Sequence, residues 1–285
     1  MIVTGDLVDA ELSGKVIYTS FRKLPNQASA SRTWFDTSMS PGYPSAQYYA
    51  AIPLNATALS YSVNKGIFNG GNVSPSKKYL RQISIYGGSA NYHPSSWILC
   101  DYLMFYSFID ESTTDEQMLT TSIPLPRYPD GFGVNMMAVS LGARTGGQTF
   151  TVKYTNSDGV TGRVSKLTLQ NTASVTGNII NSHTTNNDPN SYGPFIPLQD
   201  GDKGVRKIES VTMNGVDIGL FALVLVKVIS SQSTYEITAF SEIDFLVDKS
   251  LVPEIKDDAY LNFLCLPVGS VSGNQFIGEL KTVFI

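Results

Sequence analysis

The sequence predicts an all-β fold: an antiparallel β-sandwich of jelly-roll type with an extended N-terminal arm. Short apolar or alternating segments recur between turns rich in Gly, Pro, Asn and Asp. Charged residues make up only 15% of the 285, against roughly 25% in an average soluble protein. A shortage of Lys and Glu disfavours long solvated helices, whereas plentiful Tyr, Phe, Val and Thr favour strands. Residues 220–228, LFALVLVKV, show no alternation, which is expected of a central strand covered on both faces. A chain of this length can form one β domain, so the expected division is an arm over 1–65 and a sandwich over 66–285.

In residues 1–65 the hydrophobic pattern breaks every few positions, as in ASASRTWFDTSMSPGYPSAQYY. Such a segment is ordered only where it lies on something, since its backbone needs partners; otherwise it is a loose tail. Trp34, Phe35, Tyr43, Tyr48 and Tyr49 are aromatic anchors of the kind that concentrate energy at interfaces. The alternative is that they fold back on their own sheet.

Regular strand signals begin near residue 80, with 80–86, 97–109 and 134–141. Residues 110–119 carry capping-type residues, Thr114 three before Gln117, and predict a short helix. The clearest local signal is the hairpin GGQTFTVKYTNSDGVTGR, 146–163. Gln148, Phe150, Val152 and Tyr154 share one face, while Thr149, Thr151, Lys153 and Thr155 share the other. Asn156 to Gly159 supplies a turn in which Asn and Asp bond the local backbone and Gly159 takes a positive φ. Gly162 is expected at a bulge.

Beyond the hairpin, residues 170–190 are rich in Asn, Thr and Ser and read as a polar surface excursion. His183 lies inside it and is an interface candidate, placed to hold an ion on an oligomer's symmetry axis. Strands return at 208–213, 220–228, 235–240, 243–247, 260–266 and 275–285.

Several function classes find no footing. Net charge is −4 without a basic cluster, so direct nucleic-acid binding is not expected. The longest apolar run is far short of a membrane span, and the first residues lack a signal pattern, so folding in a cytosol is expected. Cys100 and Cys265 sit in apolar strand contexts and read as buried free thiols. No cofactor is expected. Gly142 to Thr149 resembles a phosphate loop, but Gln148 replaces the lysine and a strand follows in place of a helix. Asp200 and Asp202 open a calcium-like loop, but Gly204 and Val211 break the pattern, leaving a tight turn or an irregular calcium site. The pairs Asp110-Glu111, Asp115-Glu116 and Asp257-Asp258 are the acids a glycan hydrolase reading would use; solvated loop acids are the plainer reading.

Seven segments in order, FNGGNVSPS (68–76), ILCDYLMFYSFID (98–110), LPRYPDGFGVNMM (125–137), TFTVKYTNSDGVTGR (149–163), GPFIPLQDGDKGVRKIESV (193–211), GLFALVLVK (219–227) and DDAYLNFLCLPVGS (257–270), resemble a family of uncharacterised structural proteins of tailed bacteriophages. The resemblance spans residues 68–270 and implies a virion component without catalytic residues. It implies a decoration or cement protein on the head exterior. Such a protein binds the major capsid protein and self-associates as a trimer, because cement sites lie at three-fold positions. A contacting arm would supply an interface of about 800 Å² per partner. The alternatives are a tail, baseplate or fibre component, a glycan-binding adhesin, or a glycan hydrolase.

Overall fold

The computed structural model describes residues 4–26, 29, 32–88, 95–182, 188–236, 239–249 and 251–285. Strand makes up 44% and helix 6%, so the chain is all-β. Helix α1 (Thr4–Leu12) precedes β1 (Val16–Lys23), β2 (Phe35–Asp36), β3 (Gly42–Tyr43), β4 (Ala56–Ala58) and the one-turn helix α2 (Tyr61–Asn64). Then come β5 (Lys78–Gly87), β6 (Ser95–Asp110), β7 (Gln117–Met118), β8 (Val134–Ser140), β9 (Thr149–Asn156), β10 (Arg163–Val164) and β11 (Thr168–Leu169). The last third holds β12 (Val205–Met213), β13 (Leu220–Thr234), β14 (Ser241–Asp244), β15 (Glu254–Ile255), β16 (Leu261–Pro267) and β17 (Phe276–Phe284).

These strands form three sheets, ordered β14-β5-β17-β1-β3, β10-β9-β12-β7 and β2-β16-β6-β13-β8. The last packs against both others. Strand β13 shows how. Phe221, Leu223 and Leu225 enter a core with Phe150, Val152 and Tyr154 of β9 and Ile208 of β12. Ala222, Val224 and Val226 enter another with Met39, Tyr49 and Leu59. All six are fully buried, so no face is left for polar residues, and the run lacks alternation for that reason. Apart from Ala222, each such side chain contributes about 1.5–3 kcal/mol by leaving water.

One face of strand β6 is shared between two cores along its length, while Cys100, Tyr102 and Phe105 enter a third. Trp97 and Leu99 join Phe263, Phe276 and Leu280 against the β5–β17 sheet. Further on, Met104 and Tyr106 face β9 and β12. The ladder between β6 and β13 shifts register at Phe221/Leu223, Leu225/Val226 and Val228/Ser230. Such bulges add twist and bend, and so let one strand pair serve both cores. Cys100 and Cys265 are free and buried, as expected.

The hairpin forms as predicted: Phe150, Val152 and Tyr154 are buried on one face. Asn156 Oδ1 accepts from the backbone N–H groups of Asp158 and Val160 at 3.1 and 2.9 Å, and Gly159 takes φ +83°. Gly162, also at positive φ, lies in the turn just before β10 rather than within a paired strand.

Three expectations are corrected. The described part of 1–65 is not an arm standing apart. Strand β1 pairs along its whole length with β17, from Val16↔Val283 to Lys23↔Phe276, and β2 pairs with β16. Leu7 and Ala10 of α1 bury against Tyr79 and Val283. The broken hydrophobic pattern reflects short strands meeting distant ones, which no local period reveals.

Residues 110–119 form a turn leading to β7, with no helix. The Gln117 side chain both accepts from the Asp110 N–H and donates to the Asp110 carbonyl, each at 2.8 Å. Met118 then pairs with Ser210 of β12. Ladder bonds across the sheet replace the helical ones a capping pattern suggested.

The segment 170–190 is a surface excursion only in part over its described residues before 183: Thr172 and Ser174 are exposed, but both ends of that stretch lie inside. Asn171, Asn178, Ile179, Ile180, Asn181 and Ser182 are all buried. Polar side chains lie inside because they hold backbone groups there. Asn171 Nδ2 donates to the carbonyls of Ile179 and Ser182 at 3.0 and 2.8 Å, and its Oδ1 accepts from Ala173 N and Asn178 Nδ2. The segment runs beside β8 through Ser140 N to Asn178 O, Ile180 N to Ala138 O and Gly177 N to Ser140 O, and so covers that edge.

Candidate functional site

The aromatic candidates divide between interior and surface. Phe35, on β2 opposite Cys265, and Tyr49 are each 1% exposed. They belong to the protein's own core, which corrects their expected place at an interface. Trp34 is half-buried and packs against the core that holds Met39, Tyr49 and Leu59. Tyr43 and Tyr48 are each 61% exposed. His183 lies outside the described residues.

Two buried ionisable groups fix the exposed pair. The Lys23 side chain is buried, and its Nζ donates to the carbonyls of Ser40 and Pro44 at 3.0 and 2.9 Å. This pins the loop that presents Tyr43, while β3 pairs with the end of β1, Arg22↔Tyr43. Gly42 is required there: at φ +137° a side chain would meet the Arg22 carbonyl. Burial lowers the Lys23 pKa to about 8, against the raising effect of the Asp36 charge.

Asp36 is fully buried and accepts from the hydroxyls of Tyr49 and Tyr102, the latter at 2.7 Å, and from Ser38 N at 2.9 Å. Burial raises its pKa against these hydrogen bonds. Tyr49 is thereby fixed inward, while Tyr48 beside it stays exposed.

Around the exposed pair lies a mixed apolar surface. Asn64 Nδ2 donates to Gln47 Oε1 at 3.3 Å, joining α2 to the 43–48 loop. Burial, and secondarily Tyr43, raise the Tyr61 pKa. Lys65 Nζ sits 5.4 Å from the centre of the Tyr61 ring, and Val63 is 77% exposed. Aromatic rings, one valine and a cation over a ring make a surface suited to another protein.

The other candidates have structural partners. Arg144, inside the phosphate-loop lookalike, is buried and donates to both Glu111 carboxylate oxygens at 2.9 Å and to the Asn171 carbonyl at 2.6 Å. Asp202 accepts from Tyr154 Oη, Asn156 Nδ2 and Arg163 Nε at 2.6, 2.7 and 2.9 Å. Burial opposes ionisation of Asp202, but those donors together hold its pKa below the usual range. Asp200 pairs with Lys166 at 2.7 Å. Asp257 accepts from Val73 N and Ser74 N, and Asp258 from Ser62 N and Oγ. Among the described residues, no group of three or more His, Cys, Asp or Glu is placed to hold a metal ion. No described helix is long and apolar enough to cross a membrane.

Sequence reasoning missed Lys23 and Asp36. A usable signal exists for the first: Thr19, Phe21 and Lys23 fall on one inward face of β1, so the lysine occupies a core position. No family model matches the chain, and neither does any curated protein or solved structure.

Proposed function

We propose that this protein is a non-enzymatic virion component of a tailed bacteriophage. It acts as a decoration or cement protein on the head exterior, binds the major capsid protein and self-associates as a trimer. The phage assignment rests on the seven segments over 68–270 that resemble that family. The observation that carries the binding role is the pair Tyr43 and Tyr48, both 61% exposed on a loop locked to the core by Lys23 and Asp36. Aromatic anchors presented rigidly lose little entropy on binding. Low surface charge lets many copies lie side by side on a shell without strong mutual repulsion.

The test is reconstitution. Heads assembled without the protein are mixed with the full chain, sedimented, and the bound copies counted. Saturation at the number of three-fold and quasi-three-fold positions, in units of three chains, is the expected result. A protein that stays monomeric and leaves heads bare sinks the reading. A copy number matching tail symmetry in intact particles moves the protein to the tail.

A further inference from the structure

Among the described residues two lysines are buried, Lys23 and Lys78, and they meet different groups. Lys23 donates to backbone carbonyls. Lys78, the first residue of β5, places Nζ 3.4 Å from Asn69 Oδ1 and 3.6 Å from Asp257 Oδ1, and it also donates to the Gly71 carbonyl. The Lys78 side chain is 0% exposed and Asn69 is 1% exposed, whereas the Asp257 side chain is 33% exposed. An amine, an amide and a carboxylate share one small space, and the carboxylate reaches water.

Three segments build this meeting. Gly70, at φ +88°, lies against the Lys78 stem, where a Cβ would stand only 2.9 Å from Lys78 Cδ. A side chain at 70 would push that stem away. Asn69 is held by both atoms of its amide, Nδ2 donating to the Ala259 carbonyl and Oδ1 accepting from Gly71 N, each at 2.9 Å. Asp257, two residues before Ala259, is fixed by Val73 N and Ser74 N. Burial lowers the Lys78 pKa against the raising effect of Asp257, so more of this amine is uncharged and nucleophilic than in an exposed lysine.

We propose that Lys78 condenses with Asn69 to form an intramolecular isopeptide bond. Asp257 takes a proton from the ammonium and releases it to solvent. The Nζ lone pair then attacks Asn69 Cγ, the carbon bonded to Oδ1, and the Gly71 N–H stabilises the charge that develops on that oxygen. Asp257 relays a second proton from Nζ to Nδ2, the Cγ–Nδ2 bond breaks and ammonia leaves. No oxidant or cofactor is consumed. Held geometry does the work of an external catalyst, and the product ties the 69–71 loop to β5 covalently. The site shares no residue with the Tyr43–Tyr48 surface and stands independently of the capsid reading.

The full-length protein is held at neutral pH, and its mass is measured intact and after trypsin digestion. The intact chain is expected to weigh one ammonia less than its sequence. The digest should contain residues 66–77 joined to residues 78–81 through the two side chains. Lys78→Arg, which keeps the charge but lacks the nucleophile, should retain its full mass. Asp257→Asn, at a partly exposed position, should form the link about a hundredfold more slowly. An Asn-Gly pair can also shed ammonia by closing on its own backbone, but that ring does not need Lys78. Ammonia loss that persists in Lys78→Arg therefore overturns the proposal, and so does wild-type protein at its full mass. Linkage at the wild-type rate in Asp257→Asn overturns the relay.

Discussion

Arg127 grips Asp101 through two parallel hydrogen bonds, Nε to Oδ2 at 2.9 Å and Nη2 to Oδ1 at 2.8 Å, where β6 passes from one core to the other. The same guanidinium donates to the carbonyls of Leu59 and Tyr102, and Tyr260 N donates to Asp101 Oδ1. The Asp101 side chain is wholly buried and that of Arg127 is 9% exposed. Burial raises the Asp101 pKa, and Arg127 works against that rise.

Removing one member therefore leaves a charge buried alone. Arg127→Met is expected to destabilise the fold by about 3–5 kcal/mol. Adding Asp101→Leu should recover part of the loss, because the orphaned carboxylate is then gone. Urea unfolding of the single and double variants measures both. A single-variant loss below about 1 kcal/mol would falsify the assigned role.

Lys23 makes stability depend on alkaline pH. Its folded pKa is about 8 against an ordinary 10.5, so between these values the unfolded chain binds the proton and the folded chain does not. Stability contributed by this group therefore rises with pH across that window. Below about pH 8 the full cost of burying the ammonium is present; above 10.5 it is gone. The effect is read as a difference: the urea midpoint of wild type relative to Lys23→Met should rise over this range, since the Cys100 and Cys265 thiols, whose pKa burial raises, add a slope of opposite sign to both proteins. A slope of the same sign remains from Lys227, and from Lys78 while its amine is free, since burial also lowers their pKa values. An identical pH profile in wild type and variant would exclude the effect.

The two classes of N-terminal aromatic should separate in mutagenesis. Tyr43→Ala and Tyr48→Ala leave unfolding free energy within about 0.5 kcal/mol of wild type, because both rings are exposed. Their combination should release the protein from heads. Phe35→Ala costs about 3–5 kcal/mol through the cavity it leaves. Tyr49→Phe costs about 1–3 kcal/mol, since Asp36 loses a buried donor. Head binding that persists in the Tyr43/Tyr48 double variant would refute this surface.

Asn171 holds the covered edge of β8. Asn171→Ala deprives two backbone carbonyls, one backbone N–H and the Asn178 amide of a partner. At about 1–3 kcal/mol for an orphaned buried group, a loss of at least ~2 kcal/mol is expected. Amide exchange at Ile179 and Ile180 should accelerate most. Uniform exchange across the molecule would show that the hub acts globally.

Features carried by neighbouring residues were legible. Alternation in 149–155 and the Asn156–Gly159 turn set the hairpin, and the uninterrupted run in β13 marked a strand with two apolar faces. The aromatic candidates were recognised as anchors, but pattern could not sort Tyr48 from Tyr49, adjacent residues with opposite fates. That choice is made by Asp36 and Tyr102, the latter more than fifty residues away in sequence.

Local sequence thus determined the β class, the turns and the doubly buried central strand, because backbone preference and side-chain period act over a few residues. Only tertiary structure decided the rest. The described residues of 1–65 became integral when β1 met β17, and Asn171, Asn178 and Asn181 went inside because their amides answer backbone groups of their own loop and of Pro194, and each other. Gln232 became a buried amide without a hydrogen-bond partner for the same reason. A polar residue's place follows from which distant partners reach it, and those are set by packing.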